Sequence, residues 1–136
     1  MGEKITKEHW DKFIKENNIK YFSFNEFVRD ENGFIDSELV KKLEKLREAF
    51  GKVIKISSGY RTEEDNKRVG GAKNSYHLKG MAVDIPITEY SASELYSLIK
   101  LCFDIEFNGI ILYPMHLHLD IREDKKVFII TNYKRR

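Results

Sequence analysis

The sequence predicts a single α+β domain, and three observations predict it. Helical apolar patterns gather in the first half, and short strand-like runs that read as antiparallel gather in the second. The 136 residues are enough for one core and too few for two comfortable ones. With 41% hydrophobic and 34% charged residues, the composition is that of a globular protein somewhat rich in charge.

The elements follow in order. Residues 5–17, "ITKEHWDKFIKEN", read as a first helix with Thr6 as N-cap and Ile5, Trp10, Phe13 and Ile14 near one side. "FSFNEFV" reads as one helical turn that packs Phe22, Phe24 and Phe27 inward. "DSELVKKLEKLREAFG" is the clearest helix. Asp36 caps it, Leu39, Val40, Leu43, Leu46 and Phe50 recur at helical spacing, and Gly51 suits its end. "KVIKISS" alternates with period two and reads as a strand.

Residues 59–78 carry little apolar content and include Gly70-Gly71, so they read as an ordered surface excursion with a helical turn capped by Thr62. After a strand at residues 81–87, "SASELYSLIKLCF" is a helix capped by Ser91 or Ser93. "FNGIILY", "HLHLDI" and "KVFIIT" complete the chain as strands, with turns at Tyr113-Pro114 and Glu123-Asp124.

Several function classes are disfavoured. The formal net charge is +2, and Lys and Arg are scattered among acids, which gives no sign of a nucleic-acid partner. The basic cluster Lys134-Arg135-Arg136 reads as a solvated tail. No run approaches the roughly 18 apolar residues of a membrane span. The polar N-terminus lacks the apolar core of a secretory signal, so the expectation is a chain made in the cytoplasm. The lone Cys102 excludes an intramolecular disulfide, and its apolar spacing marks a buried structural thiol. His9, beside Trp10, reads as surface or packing, and a monomer is the default expectation.

The chemistry concentrates elsewhere. His77 and Asp84 stand seven apart, a spacing that shares a face on a helix, but Gly80 and the strand-like run after it exclude one continuous helix. In "YPMHLHLDIR", His116, His118 and Asp120 project to one strand face while Leu117, Leu119 and Ile121 fill the other. By spacing alone, that polar face belongs either to a metal site or to the wet side of an edge strand. A catalytic zinc takes three protein ligands, commonly His with a carboxylate, and keeps a fourth position open. His77, Asp84 and His118 make the natural trio, with Asp120 or His116 orienting a ligand or acting as a base.

The combination of "SSGYRTEEDNKRVGGAKNSYHLKGMAVDI" with "YPMHLHLDIR" resembles the M15 zinc peptidases. It is most similar to their small D-alanyl-D-alanine carboxypeptidase-like branch, which includes cell-wall peptidases and phage endolysins. The likeness runs from about "FSFNEF" to the last strand. It implies one zinc peptidase domain over residues 1–136, with residues 1–20 a helical extension and 21–133 the M15-like core.

The resemblance implies a hedgehog/D,D-peptidase-like fold, a central antiparallel sheet with helices packed mainly from the N-terminal half. One Zn2+ per chain would be held by His77, Asp84 and His118. Arg61 would stabilise the scissile carbonyl as negative charge develops, and Tyr60 and Ser75 would contact substrate. Many members carry an acid three residues before the last histidine ligand. Here that position is Met115, which takes no proton, so Asp120, or His116 in its place, inherits the role of base.

The implied activity is hydrolysis of a peptide bond in peptidoglycan, by a D-Ala-D-Ala carboxypeptidase or a stem or cross-link endopeptidase. It would act at the cell wall or periplasm once released, as a phage lysin does. The competing reading is a non-catalytic wall-binding or virion-structural module that keeps the fold and metal site. Met115 favours that reading, and the intact trio with Arg61 argues against it.

Overall fold

A computed structural model describes residues 2–132, so the basic cluster at 134–136 lies outside the described residues. In chain order the elements are β1 (Lys4–Ile5), α1 (Lys7–Asn17), α2 (Phe24–Phe27), β2 (Ile35–Asp36) and α3 (Ser37–Phe50). There follow α4 (Glu63–Arg68), a 3-10 turn (Tyr76–Lys79), β3 (Ala82–Pro86) and α5 (Ala92–Asp104). Strands β4 (Gly109–Leu112), β5 (His116–Asp120) and β6 (Val127–Ile130) complete the domain.

Helix ends fall where local chemistry puts them. The Asp36 carboxylate accepts from Glu38 N, Gly51 closes α3 in the left-handed region at φ 72°, and Ser91 with Glu94 forms a capping box on α5. Thr62 caps α4 by accepting from Asp65 N. Thr6 stands at the N-cap of α1, but its hydroxyl bonds the exposed His9 ring instead of the helix backbone. No helix among the described residues is long and apolar enough to cross a membrane.

The main sheet has the order β3-β5-β4-β6. Its first three strands are antiparallel, and β6 runs parallel to β4, so the sheet is mixed and not wholly antiparallel as expected. The cause is topological. Strand β5 is already bonded on both sides by β3 and β4, so the chain leaving it must step over to β4, and one reversal past one strand leaves it parallel to β4. The same placement rules out an edge strand for "HLHLD".

The run "KVIKISS" is not a strand either. It touches β3 through one bridge, Ser58 to Asp84, while Ile54 and Ile56 are buried and Val53 is exposed. Its alternation records which side chains face the core, not a ladder. Two short strands, β1 and β2, escaped the sequence reading because each has only two residues.

One apolar cluster joins Trp10 of α1, Phe24 and Phe27 of α2, Leu39, Leu43 and Leu46 of α3, and Leu98 of α5 to Leu117 and Leu119 of β5. Helix α5, from the second half, thus contributes to the core beside α3, so the helical layer does not come from the N-terminal half alone. Trp10 packs its ring on both Phe24 and Phe27, which ties α1 to the rest.

Leu43 is wholly buried. Leu43→Ala is therefore expected to cost about 2–5 kcal/mol, read as a lowered urea midpoint with unchanged slope. Cys102 is buried, and burial pushes its thiol pKa up. It is expected to resist thiol reagents in the native protein and to label at the rate of unfolding, a measurement that separates a structural thiol from a nucleophile.

Candidate metal centre

The register of β3 against β5 sets Asp84 directly opposite His118. Two of the three predicted donors are thus a cross-strand pair whose side chains share a face. The third comes from the 3-10 turn that precedes β3. Ser75 opens that turn by accepting from His77 N at 3.2 Å, and Gly80 closes it at φ 66°, a conformation suited to glycine. Gly80 O also accepts from Asp36 N, which fixes the end of the turn to β2.

Three donor atoms converge: His77 Nε2, Asp84 Oδ1 and His118 Nδ1 all lie within 4.8 Å of one another. Each ring nitrogen is 3.3 Å from Asp84 Oδ1, and all three atoms are buried without a hydrogen-bond partner. Buried polar atoms are normally satisfied, so three unsatisfied donors facing one point need an explanation. A divalent cation supplies one, and two imidazoles with one carboxylate are among the donor sets of catalytic zinc sites.

Each histidine is turned by a partner on its far side. His77 Nδ1 donates to Gly59 O at 2.7 Å, which leaves Nε2 aimed inward. His118 Nε2 donates to Asp120 Oδ2 at 2.7 Å, which leaves Nδ1 aimed inward. Such outer partners fix both ring orientation and tautomer. Asp84 is held likewise: its Oδ2 accepts from Arg61 Nη2 at 2.9 Å. Its backbone pairs with Ser57 and Ser58 on one side and with β5 on the other.

The electrostatics differ between the two rings. Burial pushes the His77 pKa down, against the pull of the facing Asp84. Burial also opposes charge on His118, but Asp120 and Asp84 outweigh it and raise the pKa of this ring. Burial alone would raise Asp84, yet the facing His118 and His77 rings hold it well below the usual carboxylate range. Asp120 is likewise disfavoured as an anion by burial, but Arg122 and His118 hold its carboxyl below that range.

The structure places the sequence-predicted residues differently. His77, Asp84 and His118 form the cluster. His116 flanks it, its Nε2 3.8 Å from Asp84 Oδ1 and its ring stacked on Tyr113 at 4.6 Å. Arg61, Tyr60, Asp84 and His116 line one cleft of about 430 Å3. Asp120 stands behind His118, fully buried, with Oδ1 accepting from Arg122 Nε and Oδ2 from Arg122 Nη2 and His118. Ser75 caps the turn, and Met115 is exposed.

Other residues in the assembly were missed. Ser58 accepts from Arg61 Nε at 3.0 Å, and the buried Asn66 accepts from Arg61 Nη1 at 3.2 Å while donating to Ala72 O. Gly59 supplies the carbonyl for His77 and approaches Phe27 so closely that a Cβ would lie 2.3 Å from Phe27 O. All lie in or beside "SSGYRT", which signalled function as a block but not these separate tasks.

A family model described as Peptidase M15 matches residues 17–120. The chain belongs to the peptidase M15 family. Among its relatives is the peptidoglycan L,D-endopeptidase MepK of Escherichia coli (strain K12), 31% identical over 134 residues that cover 88% of this chain and 70% of that protein. The MepK proteins of Escherichia coli O157:H7 and Shigella flexneri match to the same extent. The M15 match takes in Arg61, His77, Asp84 and His118 and ends on Asp120, two residues short of Arg122.

The depressed pKa of Asp120 has a consequence for stability in acid. A carboxylate held lower in the folded chain stabilises it above the unfolded pKa of about 3.9, and that contribution fades as pH falls through the folded value. The metal-free protein should therefore lose stability progressively below about pH 4. Asp120→Asn should be less stable at neutral pH and flatter in acid. Denaturation midpoints against pH for both proteins check this, and parallel curves would contradict it.

Proposed function

We propose that this chain is a zinc-dependent peptidase that hydrolyses a peptide bond in bacterial peptidoglycan, as a single domain over residues 1–136 acting at the cell wall. The observation that carries the reading is the convergence of His77 Nε2, Asp84 Oδ1 and His118 Nδ1, with Asp84 also lining the cleft that holds Arg61 and His116, in a chain of the M15 family. The likeness to MepK supports the substrate and favours an endopeptidase over a carboxypeptidase.

His77, Asp84 and His118 would hold one Zn2+, which when bound supplies a Lewis acid for the scissile carbonyl and lowers the pKa of an attacking water. Arg61 is tethered by Ser58, Asn66 and Asp84, so its guanidinium is fixed where it lines the cleft. A fixed, permanently charged group favours the oxyanion that develops as water adds to the carbonyl carbon. Tyr60, in the cleft wall, positions the peptide. Ser75 borders the site through the turn its hydroxyl caps, and a contact with substrate would add to that task.

Proton transfer falls to His116. Asp120 is fully buried and both its oxygens accept hydrogen bonds, so it orients His118 and does not take up a proton in turnover. His116 lines the cleft beside Asp84, with its side chain partly exposed and its Nε2 buried. It takes the proton of the attacking water and returns it to the leaving amine as the C–N bond breaks. Met115 no longer favours the non-catalytic alternative once His116 fills that role.

Three measurements test the reading. Purified peptidoglycan incubated with the zinc-loaded protein should yield new amino and carboxyl termini, and the fragment masses identify the bond. His118→Ala should abolish both zinc binding and wall cleavage, so cleavage that survives it or survives chelation overturns the mechanism. His116→Ala should lower kcat by about 10^2–10^4 while one zinc per chain is retained.

A further inference from the structure

The far side of the cluster holds an assembly that the reaction does not touch. Asp120 Oδ1 accepts from Arg122 N at 3.1 Å and Nε at 2.8 Å, and Oδ2 accepts from Arg122 Nη2 at 2.6 Å and His118 Nε2 at 2.7 Å. Asp120 is paired in register with Gly109, where a Cβ would lie 2.2 Å from both carboxylate oxygens. The carboxylate therefore fills space that only a missing side chain leaves.

The Arg122 guanidinium is itself held on a second side. Its Cζ lies 4.7 Å from the centroid of the Tyr76 ring, and Tyr76 OH donates to Asp124 Oδ1 at 3.2 Å. Tyr76 immediately precedes His77, and Arg122 follows Asp120 in the chain. The ring and the guanidinium thus join, behind the cluster, the two segments that carry His77 and His118.

We propose that Arg122, held by Tyr76, is a positioning residue that fixes the His118 ring through Asp120 and so sets the metal affinity of the site. The geometry explains why an arginine stands there. Its Nε–Nη2 edge meets both oxygens of Asp120 side by side, which fixes the plane of the carboxylate. With that plane set, Oδ2 has one remaining direction for a donor, and His118 Nε2 occupies it. The ring then has one orientation, with Nδ1 toward Asp84 and His77. A lysine offers a point charge on a flexible stem and fixes no plane.

The proposal rests on the zinc reading, but one of its tests does not need zinc. In the metal-free protein at alkaline pH, where the ring is neutral, 15N shifts of His118 should report a single Nε2–H tautomer. Arg122→Met should give a mixture. Zinc affinity by chelator competition should fall about 10–100-fold in Arg122→Met, be only partly restored in Arg122→Lys, and fall by a smaller factor in Tyr76→Leu. In an Asp120→Asn background, Arg122→Met should cause no further loss, because Arg122 acts through Asp120.

Equal losses in both backgrounds, or an unchanged affinity with a single tautomer, would overturn the proposal. Should Arg122→Met fail to fold, Tyr76→Leu, which leaves the ion pair in place, carries the same comparison. A wild-type chain that binds no zinc would defeat the zinc reading alone, and the tautomer measurement would still decide the role of Arg122.

Discussion

The site depends on how one buried carboxylate is kept charged. Asp84 sits on β3, its backbone bonded to β5 on one side and to Ser57 and Ser58 on the other, with its side chain almost wholly out of water. An ionised carboxylate there is costly unless it is paired and hydrogen-bonded. One oxygen is met by Arg61 and the other faces the rings of His77 and His118. Of those partners, β5 supplies His118, and the excursion between residues 59 and 80 brings in Arg61 and His77. It builds little core, and its anchors are polar: Tyr60 N to Phe27 O, Arg61 N to His77 O, and the Asn66 side chain to Ala72 O.

A parallel arrangement holds the second carboxylate. Asp120 pairs with Arg122 as Asp84 pairs with Arg61, so two buried acids and two guanidinium groups cancel in formal charge around the cluster. The rings between them respond differently because their surroundings differ. His118 lies between both acids, and its pKa rises. His77 has a backbone carbonyl and no second acid on its far side, so burial, aided by Arg61, outweighs Asp84 and its pKa falls. Two histidines of the same trio therefore reach their lone-pair-inward geometry by different means, one through a carboxylate and one through a peptide oxygen.

Much of this was legible in the sequence, and what was not has physical reasons. Asp36, Gly51, Thr62 and Ser91 marked helix ends because capping is local chemistry. His77, Asp84 and His118 were legible because few residue types bind metal. Strand direction was not legible: alternation fixes which face a side chain takes, not which neighbour the strand finds, so β6 was read as antiparallel and "KVIKISS" as a ladder strand. Gly59, Asn66, Gly109 and Arg122 are common residue types. Their roles depend on partners far along the chain, as in the Gly109–Asp120 pair, and periodicity carries no record of such partners.

Strand β5 shows how a single element can divide the work of a site. Its alternation places His116, His118 and Asp120 on one face, and side-chain exposure falls along them from 20% to 7% to 0%. The first position, His116, is the most exposed of the three, which suits the proton-exchanging role proposed for it, although its Nε2 is buried beside Asp84. A donor to a cation gains from a dry setting, where the ring keeps one orientation, and this suits the second. A buttress must not move or change its protonation, and only the third position is sealed enough for that. The opposite face carries Leu117 and Leu119, both wholly buried, so the strand cannot slip by one residue without exchanging core for site. The order of polar groups along β5 is thus held by the same apolar packing that holds the sheet.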